Sequence, residues 1–204
     1  ARYDHISTVN NGVDVKAFYE AKPLPDAHRD GTFVTTMVAG FRDAKDQDTL
    51  VRALALLPEN YVVWLVGGGV RMEEVKALAK QQGVGDRVTF WGPRQDVPRI
   101  LKSSDVVCMS SHWEGLSLSN IEGMSVGKPF IASDVNGLRE VTKDYGLLFS
   151  EGDAKALAEL LRRLHDDVGF YTDVAKRCYA RARQFDIKVT AEKYNDVYHK
   201  LAKE

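Results

Sequence analysis

The chain has little cysteine. Cys108 and Cys178 are its only two, far apart, and neither has a partner at metal-ligand spacing. That excludes a disulfide scaffold and a zinc module as organising devices. Both thiols fall within apolar patterns and read as buried free cysteines, which suits a reducing compartment. Long apolar runs are missing too: none approaches the roughly 20 residues of a membrane span. There is no basic excess, with 28 Lys and Arg against 29 Asp and Glu and a formal net charge of -1. An electrostatic footprint for nucleic acid is therefore absent, and no charge block marks a disordered tail. No G-x-S-x-G elbow or Ser/His/Asp set is legible, and no HxxxH or carboxylate cluster has metal spacing. The sequence shows no internal repeat. It opens Ala1-Arg2-Tyr3-Asp4, without Met and without a signal-peptide pattern. The first clear strand begins only near Phe33, so the expectation is a piece of a longer protein, whose targeting or membrane segments would lie elsewhere.

Apolar residues make up 44% of 204, ample for the core of one large domain or two small ones. Residues 1–30 are polar and hold Pro23 and Pro25. Val9–Asp14 reads there as a strand end with an Asn-Gly turn, and the segment after Asp14 as linker. From Phe33 strands and helices alternate. The strands are Phe33–Ala39, Tyr61–Val66, Arg87–Trp91, Asp105–Met109, Pro129–Ala132 and Gly146–Phe149. The helices between them are Asp46–Leu57, Arg71–Gln82 ended by Gly83, Asp96–Lys102 capped by Asp96, Ser119–Val126 and a short one after Asn136. Asp153–Leu164 comes next, with Leu157, Leu160, Leu161 and Leu164 on one face, then Tyr171–Arg183 and Ile187–Lys203. Short connections, and strands without polar alternation, predict an α/β fold: a Rossmann-like doubly wound parallel sheet covered on both sides. The last helices have no strand to return to and must pack elsewhere, on this domain or on a missing one.

Glu114-Gly115-Leu116-Ser117-Leu118-Ser119-Asn120-Ile121-Glu122 carries the most chemistry. It comes after a strand and leads into a helix, which puts backbone N–H groups at a sheet edge where open α/β sheets bind ligands. A carboxylate stands at each end of that anion site, as a nucleotide joined to a sugar requires: diols at both ends, a diphosphate in the middle. Each residue also has a plain structural reading. Ser119-x-x-Glu122 is a capping-box sequence, or Glu122 accepts hydrogen bonds from a ribose diol. Glu114 is a favourable charge near a helix N-terminus, or it faces the reacting sugar. Gly115 is a turn glycine, or it lets a ligand approach the backbone, with Leu116, Ser117 and Leu118 offering N–H groups. Arg42 and Lys45 are surface charges, or the cations an anionic diphosphate needs at the end of the first strand. Gly67-Gly68-Gly69 invites a dinucleotide reading, but the third fingerprint glycine would fall at Met72, so the run reads as a tight strand-to-helix turn. His112 reads as structural or solvated rather than as a general base.

Six stretches in order carry a resemblance. They are Asn11-Gly12-Val13-Asp14, the turn with Lys45-Asp46-Gln47, Val66-Gly67-Gly68-Gly69, Val88-Thr89-Phe90-Trp91-Gly92, Ser110-Ser111-His112-Trp113-Glu114-Gly115-Leu116 through Glu122, and Gly127-Lys128-Pro129 with Asp134-Val135-Asn136-Gly137. Together they resemble the C-terminal, donor-binding domain of retaining glycosyltransferases of family 4, which have the GT-B fold. The likeness covers nearly the whole chain.

The resemblance implies residues 1–30 as a lead-in from an acceptor domain, 31–185 as the nucleotide-sugar-binding domain, and 186–204 as a helix packing towards the acceptor domain. It implies that Glu122 binds the ribose, that Glu114 lies by the donor sugar and the reaction centre, and that Gly115, Leu116, Ser117 and Leu118 form the phosphate turn. Lys45 would neutralise the diphosphate, and Pro93 and Arg94 lie where the base is read, largely by main chain. The donor is a nucleoside-diphosphate sugar, with no cofactor and no metal expected. The acceptor is a glycan or glycolipid held mainly by the other domain, and the implied setting is cytoplasmic, at the inner face of a membrane. Two positions depart from the family. Gly40 stands where relatives carry Arg, so Arg42 is expected to reach the phosphate in its place. Ser117 stands where Pro or Gly is common. Nucleotide-sugar epimerases and phosphorylases of the same fold, and a non-catalytic nucleotide-sugar-binding module, are the alternative readings.

Overall fold

The computed structural model describes residues 6–25 and 31–202. The opening Ala1-Arg2-Tyr3-Asp4, residues 26–30 of the expected lead-in and the end of the last helix at Lys203 lie outside them. Among the described residues six strands form one parallel sheet: β1 (Phe33–Val38), β2 (Tyr61–Val66), β3 (Val88–Gly92), β4 (Val106–Met109), β5 (Phe130–Ser133) and β6 (Leu147–Phe149). Their order is β3-β2-β1-β4-β5-β6, and every neighbouring pair is parallel. The chain winds outward from β1 to β3, then crosses back to lay β4 on β1's other side. That reversal opens a crevice beyond the C-terminal ends of β1 and β4.

The helices are α1 (Val15–Tyr19), α2 (Gln47–Ala55), α3 (Met72–Gln81), α4 (Val97–Lys102), α5 (Leu118–Ser125), α6 (Leu138–Thr142), α7 (Ala154–Asp166), α8 (Val168–Ala182) and α9 (Ile187–Leu201). Leu50, Val51 and Leu54 of α2 and Leu157, Leu161 and Leu164 of α7 are buried with Met37, Leu65 and Phe149 in the main core. Each such side chain contributes roughly 1.5–3 kcal/mol relative to exposure. Leu160, at the margin of the α7 stripe, is only partly buried. A smaller core of Val34, Trp64, Val66 and Ile100 occupies the opposite face of the sheet under α4. Cys108 and Cys178 are free and buried, and burial raises both thiol pKa values.

Two expectations change. The presumed linker contains α1, because Asp14 caps it by accepting from the Ala17 N–H at 2.9 Å. Val9–Asp14 is no strand. Val13 makes a single parallel bridge to Asp186, with Val13 N–H on Phe185 O at 3.0 Å and Ile187 N–H on Val13 O at 2.9 Å. Asp96 is the N-cap residue of α4, as expected, but it makes no side-chain cap bond, since both its oxygens are taken by Arg94 at 2.8 and 2.7 Å. Of the two places expected for the late helices, α7 and α8 take this domain: α7 packs on α2 and β6, α8 on α5 and β5.

Candidate functional site

The loops after β1 and β4 are stitched together at the crevice. Asp46 N–H donates to Ser110 O at 3.0 Å, the Ser110 hydroxyl donates to Asp46 O, and His112 N–H donates to Ala44 O at 2.9 Å. Lys45 and Ser111 form an antiparallel bridge between them. This places Lys45 Nζ on Glu114 Oε1 as an ion pair. Ser111 Oγ donates to the same oxygen at 2.9 Å. Burial, with the charge of Arg42 second, holds the Lys45 ammonium below its ordinary pKa. Ser111 is itself anchored: its N–H donates to Ser133 Oγ at 2.9 Å, and that hydroxyl donates to Ser111 O at 2.7 Å. Nothing in the sequence motif singles out Ser111. Its three-residue offset from Glu114 was the available signal.

The turn after Glu114 is shaped from beneath by Gly137, which in the sequence stands out only as part of a motif. Its φ is 77°, and a Cβ there would meet Gly115 O at 2.1 Å and Glu114 O at 2.6 Å. Gly115 differs: a Cβ would meet nothing within 4 Å, and its φ is outside the left-handed region. Neither packing nor backbone conformation of the protein itself demands glycine at 115, which leaves room over that backbone. Ser117, with φ -83° and ψ 112°, is extended backbone open to any residue, so its departure from Pro or Gly costs nothing locally.

Helix α5 begins at Leu118, one residue before the expected start, with Ser117 as N-cap and no side-chain cap bond. Ser119 is therefore inside the helix and the capping box with Glu122 does not form. Asn120 fixes this register, its buried amide donating to Thr142 Oγ1 at 3.1 Å. The N–H groups of Leu116, Ser117, Leu118 and Ser119 find no acceptor among the described residues. Glu122 accepts no hydrogen bond there either, and burial raises its carboxyl above the usual range. An uncapped helix start with open N–H groups carries the positive end of the helix dipole and can accept an anion.

Arg42 is exposed and forms no ion pair among the described residues, and its Nε lies 3.4 Å from where a Cβ on Gly40 would stand. The nearby Arg71 is committed instead, to Asp48 and Glu74 at 3.2 Å and to Lys45 O at 3.3 Å. The three-glycine turn has its own cause. A Cβ on Gly67 would meet Ala39 O at 2.1 Å and one on Gly69 would meet Phe41 O at 2.3 Å, so the loops after β1 and β2 touch through bare backbone. Pro93 Cγ lies 3.1 Å from a Cβ position on Gly68. Arg94 lies over Trp91 at 5.3 Å as well as pairing with Asp96. Its side chain is thus occupied. His112 Nδ1 is 2.6 Å from Glu151 Oε1, a link to the loop after β6.

The model of glycosyl transferases group 1 matches residues 20–185. The D-inositol 3-phosphate glycosyltransferase of Xylanimonas cellulosilytica is 33% identical over 100% of this chain and 53% of its own length. The UDP-Gal:alpha-D-GlcNAc-diphosphoundecaprenol alpha-1,3-galactosyltransferase of Escherichia coli is 30% identical over 95% of this chain and 54% of its own. The crystal structure of Anabaena Alr3699/HepE in complex with UDP and glucose matches with a TM-score of 0.87 at 24% identity, over 95% of this chain and 56% of that one. Sucrose-phosphate synthase from Thermosynechococcus elongatus matches with a TM-score of 0.83 at 28% identity, over 95% and 52%. The chain spans about half the length of the relatives it matches. The Rossmann-like doubly wound sheet expected from the sequence is the fold observed, and it is the fold shared with these GT-B enzymes. On the family match across most of its length and on its likeness to these relatives, the chain belongs to the glycosyl transferases group 1 family.

Proposed function

We propose that this chain binds the nucleotide-sugar donor of a retaining glycosyltransferase that moves a sugar from a nucleoside diphosphate to an acceptor glycan or glycolipid. The observation that carries this reading is the meeting of Lys45 and Glu114 beside the open N-terminus of α5. The diphosphate would lie against the N–H groups of Leu116, Ser117 and Leu118, with Lys45 and Arg42 as its cations. Arg42, folded over Gly40, would take the part of the missing family arginine. Glu122, with no internal donor, would accept the ribose hydroxyls, and Glu114 would face the sugar. With Arg94 tied to Asp96, the base would be read by the main chain around Pro93.

In the transfer itself the bond from the anomeric carbon to the diphosphate oxygen breaks, and the acceptor oxygen bonds to that carbon on the same face. The acceptor's proton ends on the departing diphosphate. Lys45, Arg42 and the helix terminus stabilise the charge that develops there, so the reaction calls for no metal. The contribution is electrostatic and positional, without a protein nucleophile. Residues 31–185 would form the donor-binding unit, with the acceptor bound mainly by a further domain, and 186–204 packing towards it. The E. coli relative's name joins a UDP-sugar to a diphosphoundecaprenol-linked acceptor, which supports a glycolipid acceptor; the setting of this reading is polysaccharide or glycoconjugate synthesis at the inner face of a membrane. The Anabaena structure is a complex with UDP and glucose, which supports a nucleoside diphosphate as the ligand.

The test is calorimetric titration of the chain with UDP, GDP, ADP and their glucose or mannose conjugates, repeated with Glu122→Ala. Saturable binding of one nucleotide, lost in the variant, is expected. The chain alone should transfer negligibly, and measurable transfer to any acceptor would overturn its assignment to the donor half.

A further inference from the structure

Glu114 carries an asymmetric load. Its Oε1 receives both the Lys45 ammonium and the Ser111 hydroxyl, while Oε2 has no donor among the described residues. The side chains of Lys45 and Glu114 are only 17% and 13% exposed, so water substitutes poorly for either partner. Yet Lys45 is also the cation a bound diphosphate would require. Glu114 and the diphosphate are rival counter-ions for one ammonium.

We infer that Glu114 discriminates the intact sugar nucleotide from the free nucleoside diphosphate, by holding Lys45 until sugar hydroxyls replace it. The inference rests on the donor-site reading above. A nucleoside diphosphate without its sugar takes Lys45 and leaves Glu114 with the Ser111 hydroxyl alone, a partly dry carboxylate short of donors. A sugar nucleotide makes the same demand on Lys45 but brings hydroxyls that Oε1 and Oε2 can accept. Once the sugar has moved to the acceptor, Glu114 regains Lys45 and the product diphosphate is released. Ser111, clamped on both sides of its peptide by Ser133, is a positioning residue: it keeps the carboxylate in place while Lys45 changes partner.

The experiment is calorimetric titration of the 204-residue chain at one ionic strength with UDP, GDP, ADP, UDP-glucose, GDP-mannose and ADP-glucose. Wild type, Glu114→Gln, Glu114→Ala, Lys45→Met and the Lys45→Met/Glu114→Gln double variant are compared, each checked for folding by circular dichroism. Removing the rival counter-ion should tighten binding of the free diphosphate by about tenfold in Glu114→Gln and erase the preference for the sugar nucleotide. Lys45→Met should weaken both ligands. In that background Glu114→Gln should no longer tighten the diphosphate, because competition for Lys45 has gone, whereas simple repulsion between carboxylate and diphosphate would persist. Unchanged or weaker diphosphate binding in both Glu114 variants, with wild type binding normally, overturns the inference and leaves the donor site standing. Tightening that survives in the double variant also overturns it. If no nucleotide binds wild type, the donor-site reading falls and takes this inference with it.

Discussion

A Cβ on Gly137 would stand 2.1 Å from the carbonyl oxygen of Gly115. The helix start after β5 therefore supports the turn after β4 through backbone alone. Gly137→Ala should cost about 3 kcal/mol, from a clash with main chain that no rotamer relieves added to an unfavourable φ. It should also weaken nucleotide binding, since the displaced turn carries Glu114. Gly152→Ala is the control: its φ is 74°, but nothing lies within 4 Å of the added carbon, so about 1 kcal/mol is expected. Urea denaturation of the two variants measures the difference, and equal losses would remove the contact as the cause.

Glu122 separates helix capping from ligand binding. A capping carboxylate replaced by alanine costs about 1 kcal/mol, whereas Glu122 makes no cap bond and its carboxyl is raised by burial. An acid whose folded pKa exceeds its unfolded one binds its proton more tightly when folded. Its contribution is fully favourable below the unfolded value of about 4.3 and is lost as pH rises from there through the raised value. Glu122→Gln should therefore be more stable than wild type at pH 7 and indistinguishable from it at about pH 4. Thermal melts across that window give the answer.

Arg42 and Lys45 make unequal predictions. Arg42 lies free over Gly40, and Arg42→Ala should weaken nucleotide binding about tenfold without loss of stability, the scale of one exposed charge-assisted bond. Lys45→Ala should weaken it further and also destabilise the fold, by stranding the partly buried Glu114. If Arg42→Ala binds as wild type while Lys45→Ala does not bind, Arg42 does not stand in for an arginine at position 40.

Strands were legible because burial on both faces writes them as apolar runs: Tyr61–Val66 has the same limits in sequence and structure. The end of the helix before Gly83 was legible from that glycine, whose φ is 71°, whereas the cap bond from the Thr49 N–H to Asp46 at 3.0 Å was not anticipated. The start of α5 was not legible, because its register depends on Asn120 reaching Thr142, a contact across 22 positions. Asp96 holds the N-cap position expected of it, yet its carboxylate goes to Arg94, because a bidentate guanidinium outcompetes a backbone N–H for a carboxylate. At the site, the pairing of Lys45 with Glu114 spans 69 positions. It comes from the crossing between β1 and β4, which residue spacing does not encode.

Gly12 gives a test of how the two ends of the described chain are joined. A Cβ there would meet Thr190 Oγ1 at 2.5 Å and Phe185 O at 2.8 Å. Gly12→Ala should detach the segment from α9, and hydrogen exchange should show protection of Tyr194–Leu201 amides falling by tenfold or more, about 1.4 kcal/mol of local opening. Amides of β1 and β4 should be unaffected.

The bridge beside it has a mechanical consequence. Val13 and Asp186 run parallel, joined by the bonds from Val13 N–H to Phe185 and from Ile187 N–H to Val13. Tension applied through the chain before Val13 and after Ile187 would load that pair in shear, stretching both bonds at once instead of unzipping them in turn. The sheet, and the crevice between β1 and β4, would bear no force until that clasp had given way.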